Sequence, residues 1–402
     1  MKRVTIVLFI SIILFHSIVF AEEMSGDFGA DFSLIDQYET YNLYSEVIEA
    51  GDVCDYHDGY ATYKIQEVRI RILDDRFKNK EFDIIYYLED GMNTRLPLYD
   101  KLYVGDRVYA YGIFENNKLT VDSIAYYDKT PWIIGLCSIF ALLIIIIGGK
   151  NGIKALISLA ITILLIFGVL IPGILAGKNV LLLTVLICSL VILISFIIIS
   201  GFTRKTLVAI LGTICGILLA ALLGGSFENA MRLSGINEHA RMISVAIDSS
   251  QEMISFKNIM LSAIMISAMG ACMDVGMSIA SSINEIKKKK PSITKSELIK
   301  SGMTIGKDVM GTMTNTLILA YVGSAMLCIL LYSINEFDLS FVLNAEDITD
   351  EILKSLCGSI GLIATIPITA LIGGALIGGS KYQIPNDKKQ EEVEIPVKYF
   401  NG

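Results

Sequence analysis

Charge is what this sequence has least of. Only 18% of its 402 residues are charged while 53% are hydrophobic, against roughly 25% and 45–50% in ordinary soluble proteins. That is a membrane composition. Histidine is scarce as well: of His16, His57 and His239, the first sits in an N-terminal apolar run, and the remaining two cannot build a multi-histidine metal site within one chain. Six of the seven cysteines (Cys137, Cys188, Cys215, Cys272, Cys328, Cys357) lie inside apolar runs, where a free thiol behaves as a small hydrophobe. Cys54 is alone in the polar part, so no structural disulfide is expected. No phosphate-cradling glycine loop, nucleophile elbow or HExxH is present, hence no ATPase or hydrolase signature. The run Cys54, Asp55, Tyr56, His57, Asp58 holds ligand-type residues in a turn-like stretch but matches no standard metal site. Neither a metal nor another cofactor is expected.

The charge that exists is unevenly placed. Residues 22–130 carry 23 of the 41 acidic and 11 of the 33 basic residues, so the formal charge of −8 averages an acidic polar part with a slightly basic apolar part. The polar part shows no basic face, which argues against nucleic acid as a partner.

Lys2 and Arg3 precede an apolar run from Val4 to Phe15, and Val19, Phe20 and Ala21 precede Glu22. This is the pattern of a secretory signal (1–21) cleaved after Ala21; the alternative is an uncleaved anchor. Residues 22–42 have no period and read as a poorly ordered lead-in. Residues 43–130 then alternate with period two. In 61–72, apolar Tyr63, Ile65, Val68, Ile70 and Ile72 alternate with Lys64, Gln66, Arg69 and Arg71, with one slip near Glu67 that suggests a bulge. Further strands are expected over 81–88, 107–114 and 118–127, the last two joined by a turn at Asn116 and Asn117. A small N-terminal all-β barrel, OB-like or SH3-like, is the fold these strands imply. The 14 tyrosines of residues 22–130 read as half-buried strand residues in preference to a ligand platform.

Pro131 and Trp132 mark the entry to a membrane domain (131–380), with the only tryptophan at an interface position. Apolar runs at about 132–147, 154–176, 180–200, 206–225, 258–283, 312–333 and 356–379 give an α-helical integral membrane protein of about seven spans. With the β-domain outside, 15 basic residues fall in inner loops and the tail (381–402) and 5 in outer loops, as the positive-inside rule requires. The signal demands the same orientation, with an exterior N-terminal domain and a cytoplasmic C-terminus. Outside, 228–251 suggests an interfacial helix. Inside, Thr294 and Glu297 form a capping box that opens an amphipathic helix running into the sixth span. Lys287 to Lys290 suffice as topology determinants.

Asp274 is the only acidic residue inside any of the seven runs. A carboxylate at membrane depth costs several kcal/mol unless neutralised or paired, so it marks a pathway or a proton relay. Gly270, Asp274, Ser278, Ser281, Ser282 and Glu285 follow at steps of three or four and make one small, polar helix stripe. Thr312, Thr314, Asn315 and Thr316, then Gly323, stand on the sixth run; Gly358, Gly361, Thr365, Thr369 and Gly373 stand on the seventh. The glycines Gly270, Gly323, Gly358 and Gly361 permit close helix packing. Ser278, Ser281, Asn315, Thr316, Thr365 and Thr369 are candidates to line a path with Asp274. The competing reading is a protonated Asp274 that holds helices together.

The runs Ile243 to Gln251, Met273 to Ser282, Gly302 to Leu317 and Gly358 to Gly361 resemble the YibE/F family of bacterial membrane proteins, over about 43–380 and more loosely in the barrel. The resemblance implies a multi-spanning topology and little chemistry. A fainter likeness, at Gly270, Asp274, Asn284, Glu285 and Thr312 to Thr316, is to the membrane halves of SecD/SecF-type proton-driven transporters.

The expectation is a bacterial plasma-membrane permease or export-assisting transporter, proton-linked through Asp274. The alternative is a non-transporting scaffold whose exterior β-domain binds an envelope partner. An enzyme is not expected, because a lone Asp lacks a second carboxylate or a nucleophile. Expected partners are the lipid bilayer, a homo-oligomeric mate that would enclose a path, and an envelope protein.

Overall fold

The computed structural model describes residues 39–57, 62–88, 100–115, 118–246 and 255–378. The signal, the Asn116–Asn117 turn, Asp58 and the tail lie outside the described residues. Two compact units result, 39–143 and 144–378.

The first unit is a five-stranded antiparallel sheet: β1 (Glu39–His57), β2 (Thr62–Ile72), β3 (Glu81–Tyr87), β4 (Arg107–Glu115) and β5 (Lys118–Tyr127) in the order β3-β2-β1-β4-β5. β1 therefore pairs on both edges. Its first part alternates, with Leu43, Ser45 and Val47 buried, whereas 51–57 is exposed on both faces. The slip expected near Glu67 has its origin across the ladder: β1 is irregular between Val47 and Glu49 and between Ala50 and Val53, opposite Val68 and Gln66. Gln66 turns inward there, 2% exposed. Its amide nitrogen donates to the Gly51 carbonyl (3.0 Å) and the Leu102 carbonyl (2.9 Å), and its oxygen accepts from the Leu102 N–H (2.8 Å). Three bonds on one buried amide satisfy a polar group that would otherwise destabilise the core. Val47, Val68, Ile70, Ile84, Val108 and Ala110 fill that core. At the exit from β5, Asp128 accepts from the Tyr44 hydroxyl (3.1 Å) and the Thr130 N–H (2.9 Å), fixing the start of the first helix.

Helices follow: α1 (Thr130–Leu165), a π-helical turn (Ile166–Leu170), α2 (Ile171–Leu175), α3 (Val180–Ser200), α4 (Arg204–Met231), α5 (Glu238–Ala246), α6 (Phe256–Lys289), α7 (Lys295–Ser324), α8 (Met326–Ile334), α9 (Leu339–Asn344) and α10 (Glu346–Leu376). Among the described residues five helices are long and apolar enough to cross a membrane, and α7 with α8 makes a sixth, bent by 55°. The first of the five, Thr130–Leu175, is not straight. Gly149 has φ 55° and ψ −126°, a backbone only glycine adopts readily. The break sets Gly152 against the Ile144 carbonyl, eight residues away, where a straight helix would hold them about 12 Å apart. The sixth apolar run is likewise not one rod, and the acidic segment before the seventh is continuous with it from Glu346.

Polar caps set the helix starts: the side chains of Asn179, Thr203 and Ser255 each accept a backbone N–H of their own first turn. The expected capping box is present, with Thr294 and Glu297 bonding reciprocally. The core of this unit lies between α3, α4, α6, α7 and α10, around Val208, Ile264, Val275, Ile279, Leu298 and Leu362.

Candidate functional site

The site is built on α6. Residues at helical spacing divide it into two sides: Ala268, Cys272, Val275, Ile279 and Ile283 are buried, whereas Gly270, Asp274, Ser278 and Glu285 are exposed and Ser281 and Ser282 half-buried. The polar stripe expected from the sequence is therefore one face, and it faces outward. Among the described residues the Asp274 carboxylate makes no hydrogen bond or ion pair. Ser281 donates only to the Met277 thioether (3.5 Å). A membrane-spanning helix thus carries an unpartnered acid on an open face.

On α7, Gly302 and Gly306 admit Ile283 and Ile279 of α6. Further along α7, Gly311, Thr312, Asn315, Thr316 and Gly323 are exposed, Gly311 and Asn315 on the side opposite Gly302 and Gly306. Thr316 bonds back to the Thr312 carbonyl (2.9 Å) and Thr312 to the Val309 carbonyl (3.0 Å). The Asn315 side chain has no hydrogen-bond partner among the described residues.

Thr365 and Thr369 belong elsewhere. Both are fully buried and press on α4, where a Cβ at Gly216 would meet the Thr365 hydroxyl and one at Gly212 the Thr369 hydroxyl. Thr365 donates to its own helix at the Gly361 carbonyl (2.9 Å). A Cβ at Gly361 would lie 2.8 Å from the Ala220 methyl, and one at Gly358 3.3 Å from Leu317. Those two glycines pack helices; Gly270 and Gly323 face open space. The fold thus buries Thr365, Thr369, Gly358 and Gly361 between closely packed helices. Asp274 and Ser278 stand on the open face of α6, and Asn315 and Thr316 are exposed on the neighbouring α7.

A family model described as YibE/F-like protein matches residues 136–379, which is more than half of the chain. The chain belongs to the YibE/F-like family. No match is found among curated proteins or solved structures. The matched region of this YibE/F-like chain begins after β5 and contains every helix from α2 to α10, including the Asp274 stripe.

Three charged groups of the helical unit were not singled out by sequence. Glu228 is 2% exposed on α4, and one of its carboxylate oxygens is buried without a partner among the described residues. It lies just past the apolar run that stops at Gly225; extending the buried series Thr213, Gly216, Ala220, Gly224 by one step would have reached it. Lys354 on α10 joins Asp350 (2.8 Å) and Glu351 (3.0 Å). Lys287, read as one of four interchangeable topology lysines, is 5% exposed, and its ammonium donates to the carbonyls of Pro291 (2.8 Å) and Ile293 (3.3 Å). It closes the turn between α6 and α7.

Proposed function

We propose that this YibE/F-like chain is a plasma-membrane transporter, a permease or an export-assisting protein, with Asp274 as its protonatable centre. The observation that carries the reading is the Asp274 carboxylate, alone on the exposed face of α6 with no bonded partner among the described residues. At membrane depth the ionised form of such a group costs several kcal/mol. Protonation removes that cost, so a proton arriving from one side and leaving to the other changes which arrangement of the α6 face is favoured. Coupling to an ion gradient fits a chain with no nucleotide-binding motif.

The topology in this reading has seven crossings. In this reading the break at Gly149 lets Thr130–Leu175 cross twice, which with the other four long apolar helices and the bent α7–α8 pair makes seven. The excess of 15 basic residues on one side over 5 on the other supports an exterior β-domain and a cytoplasmic tail. The order β3-β2-β1-β4-β5, with a long first strand shared between β2 and β4, favours an OB-like barrel.

Proteoliposomes holding the full chain and a pH-sensitive dye test the reading, using candidate solutes taken from the stresses that a deletion strain fails to survive. Solute-dependent proton flux is expected, and Asp274→Asn abolishes it while leaving the protein folded. Full flux in that variant refutes the relay. The scaffold reading has support in the exposed Tyr56, Tyr87, Tyr103, Tyr111 and Tyr126 of the β-unit. It requires the opposite outcome: function kept in Asp274→Asn and lost when those tyrosines become serine.

A further inference from the structure

We infer that a second copy of this chain covers the open α6 face, so that Asp274 of each copy meets Asn315 of the other across a twofold axis normal to the membrane. This inference rests on α6 crossing the membrane and stands whether or not the chain transports anything. It begins from two mismatched surfaces in one chain. Among the described residues the α6 face offers a hydrogen-bond acceptor, the Asp274 carboxylate, with no donor, and the α7 face a donor, the Asn315 amide, with no acceptor. Both faces are exposed, and both are bordered by glycines at which an added Cβ would meet nothing within 4 Å: Gly270 on α6, Gly311 and Gly323 on α7. Bare small residues around one polar group are what close helix association in lipid requires.

Depth supplies the second argument. Ile283 lies against Gly302, Ile279 against Gly306, and Ala268 and Leu317 both border Gly358. α6 and α7 therefore run antiparallel in a constant register, which sets Asp274 level with Gly311 and Gly270 level with Asn315. A twofold axis along the membrane normal keeps every residue at its own depth. It therefore leaves the Asp274 carboxylate of one copy and the partner's Asn315 at depths within about one helical turn, roughly 5–6 Å along the axis, so that a contact across the axis and its symmetry mate form together. An axis lying in the membrane plane would instead invert the chain, against the asymmetry of 15 basic residues to 5. A different protein as the occupant has no such built-in match, because the complementary donor at the right height is in this chain already.

The full chain in lipid nanodiscs, with subunits counted by single-molecule photobleaching, tests this. Two copies per particle are expected. Gly270→Trp and Gly311→Trp fill open space in a single chain, so each keeps the monomer folded and converts the pair into single copies. Co-expressed, differently tagged chains in a cysteine-free background, one bearing Gly270→Cys and the other Asn315→Cys, are expected to form a disulfide-linked heterodimer on oxidation. Single copies in the wild type, pairs that survive both tryptophans, or cross-linking only to another protein would overturn the inference. A dimer without flux leaves it standing and removes the transport reading; flux from vesicles holding one copy each does the reverse.

Discussion

Gly216→Ala is the most direct test of how α4 and α10 hold together. The methyl group it adds would overlap the Thr365 hydroxyl, lie 2.9 Å from the Gly361 carbonyl oxygen and 3.2 Å from the Thr365 Cβ. One of those atoms is backbone, so rotating a side chain cannot relieve the clash; the helices must move apart. Overpacking of this kind costs about 1–3 kcal/mol, offset by about 1 kcal/mol of helix propensity gained in replacing glycine. The net is about 0–2 kcal/mol of destabilisation. Gly225→Ala on the same helix is the control, because its methyl meets Leu261 at 3.6 Å, an ordinary contact, and only the propensity gain of about 1 kcal/mol remains. The two variants should therefore differ by about 1–3 kcal/mol, or some 2–12 °C in Tm for a unit of 150–250 residues. Native thiols report the transition: Cys188, Cys272 and Cys357 are 3%, 0% and 2% exposed and react with a thiol-specific fluorophore only when the bundle opens. Thr365→Ala should return part of the loss in the Gly216→Ala background and little in the Gly225→Ala background. Equal melting of the two alanine variants would refute the close approach of α4 and α10.

Other outcomes follow from single contacts. Lys287→Met removes the ammonium that satisfies the Pro291 and Ile293 carbonyls and should cost about 1–3 kcal/mol in the same thiol assay, while Lys288→Met, at an exposed side chain, should cost under about 0.5 kcal/mol. At Asp128 burial acts against the ionised carboxylate, but hydrogen bonds from Thr130 and Tyr44 and the nearby Arg107 outweigh it and hold its pKa below the usual aspartate range. A carboxylate with a lowered folded-state pKa contributes stability above its unfolded value, near about 3.9, and loses it as pH falls through the folded value. Hydrogen exchange in β1 and β4 of the full chain should therefore be faster in Asp128→Asn than in wild type at pH 7, and the difference should shrink below about pH 4; a difference independent of pH would exclude the ionised form as the source.

Regular periods were legible and their interruptions were not. β2 to β5 follow from period two because one face of each strand is buried, and the capping box at Thr294 follows from residue types three apart. The stretch 51–57 of β1 carries no alternation because it is exposed on both faces, so it reads as a turn and yet pairs with β2 through Cys54, Asp55 and Tyr56. Helix breaks hide for a related reason: α7 and α8 bend at Ala325, itself a good helix former, directly after the pair Gly323 and Ser324, a kink-prone pair that a hydropathy profile does not register. For Asp274 the spacing identified the stripe, but spacing says only which residues share a face. Whether that face meets a neighbouring helix depends on how α3, α4, α7 and α10 are arranged around α6, which no local pattern contains.

That arrangement separates the polar residues of the helical unit by what satisfies them. The Thr369 hydroxyl is buried without a partner among the described residues, but three other interior hydroxyls bond locally: Thr365 to the Gly361 carbonyl, Ser262 to the Asn258 carbonyl, and Thr184 to the Val180 carbonyl and across to Ser262. Such groups have already exchanged water for backbone oxygen, and glycines on the facing helix close the space around Thr365 and Thr369. A hydrated path along the α4–α10 seam would need those helices to separate by at least the width of a water molecule, losing the contacts at Gly212, Gly216 and Gly361 together. The outward stripe has no such contacts to lose. Gly270, Asp274 and Ser278 can be wetted, protonated or covered without unpacking anything inside the chain. Substitutions at Thr365 or Thr369 should therefore act on Tm, and substitutions at Asp274 on flux and subunit number with Tm nearly unchanged; a flux defect in Thr369→Val at normal Tm would place the path in the interior seam instead.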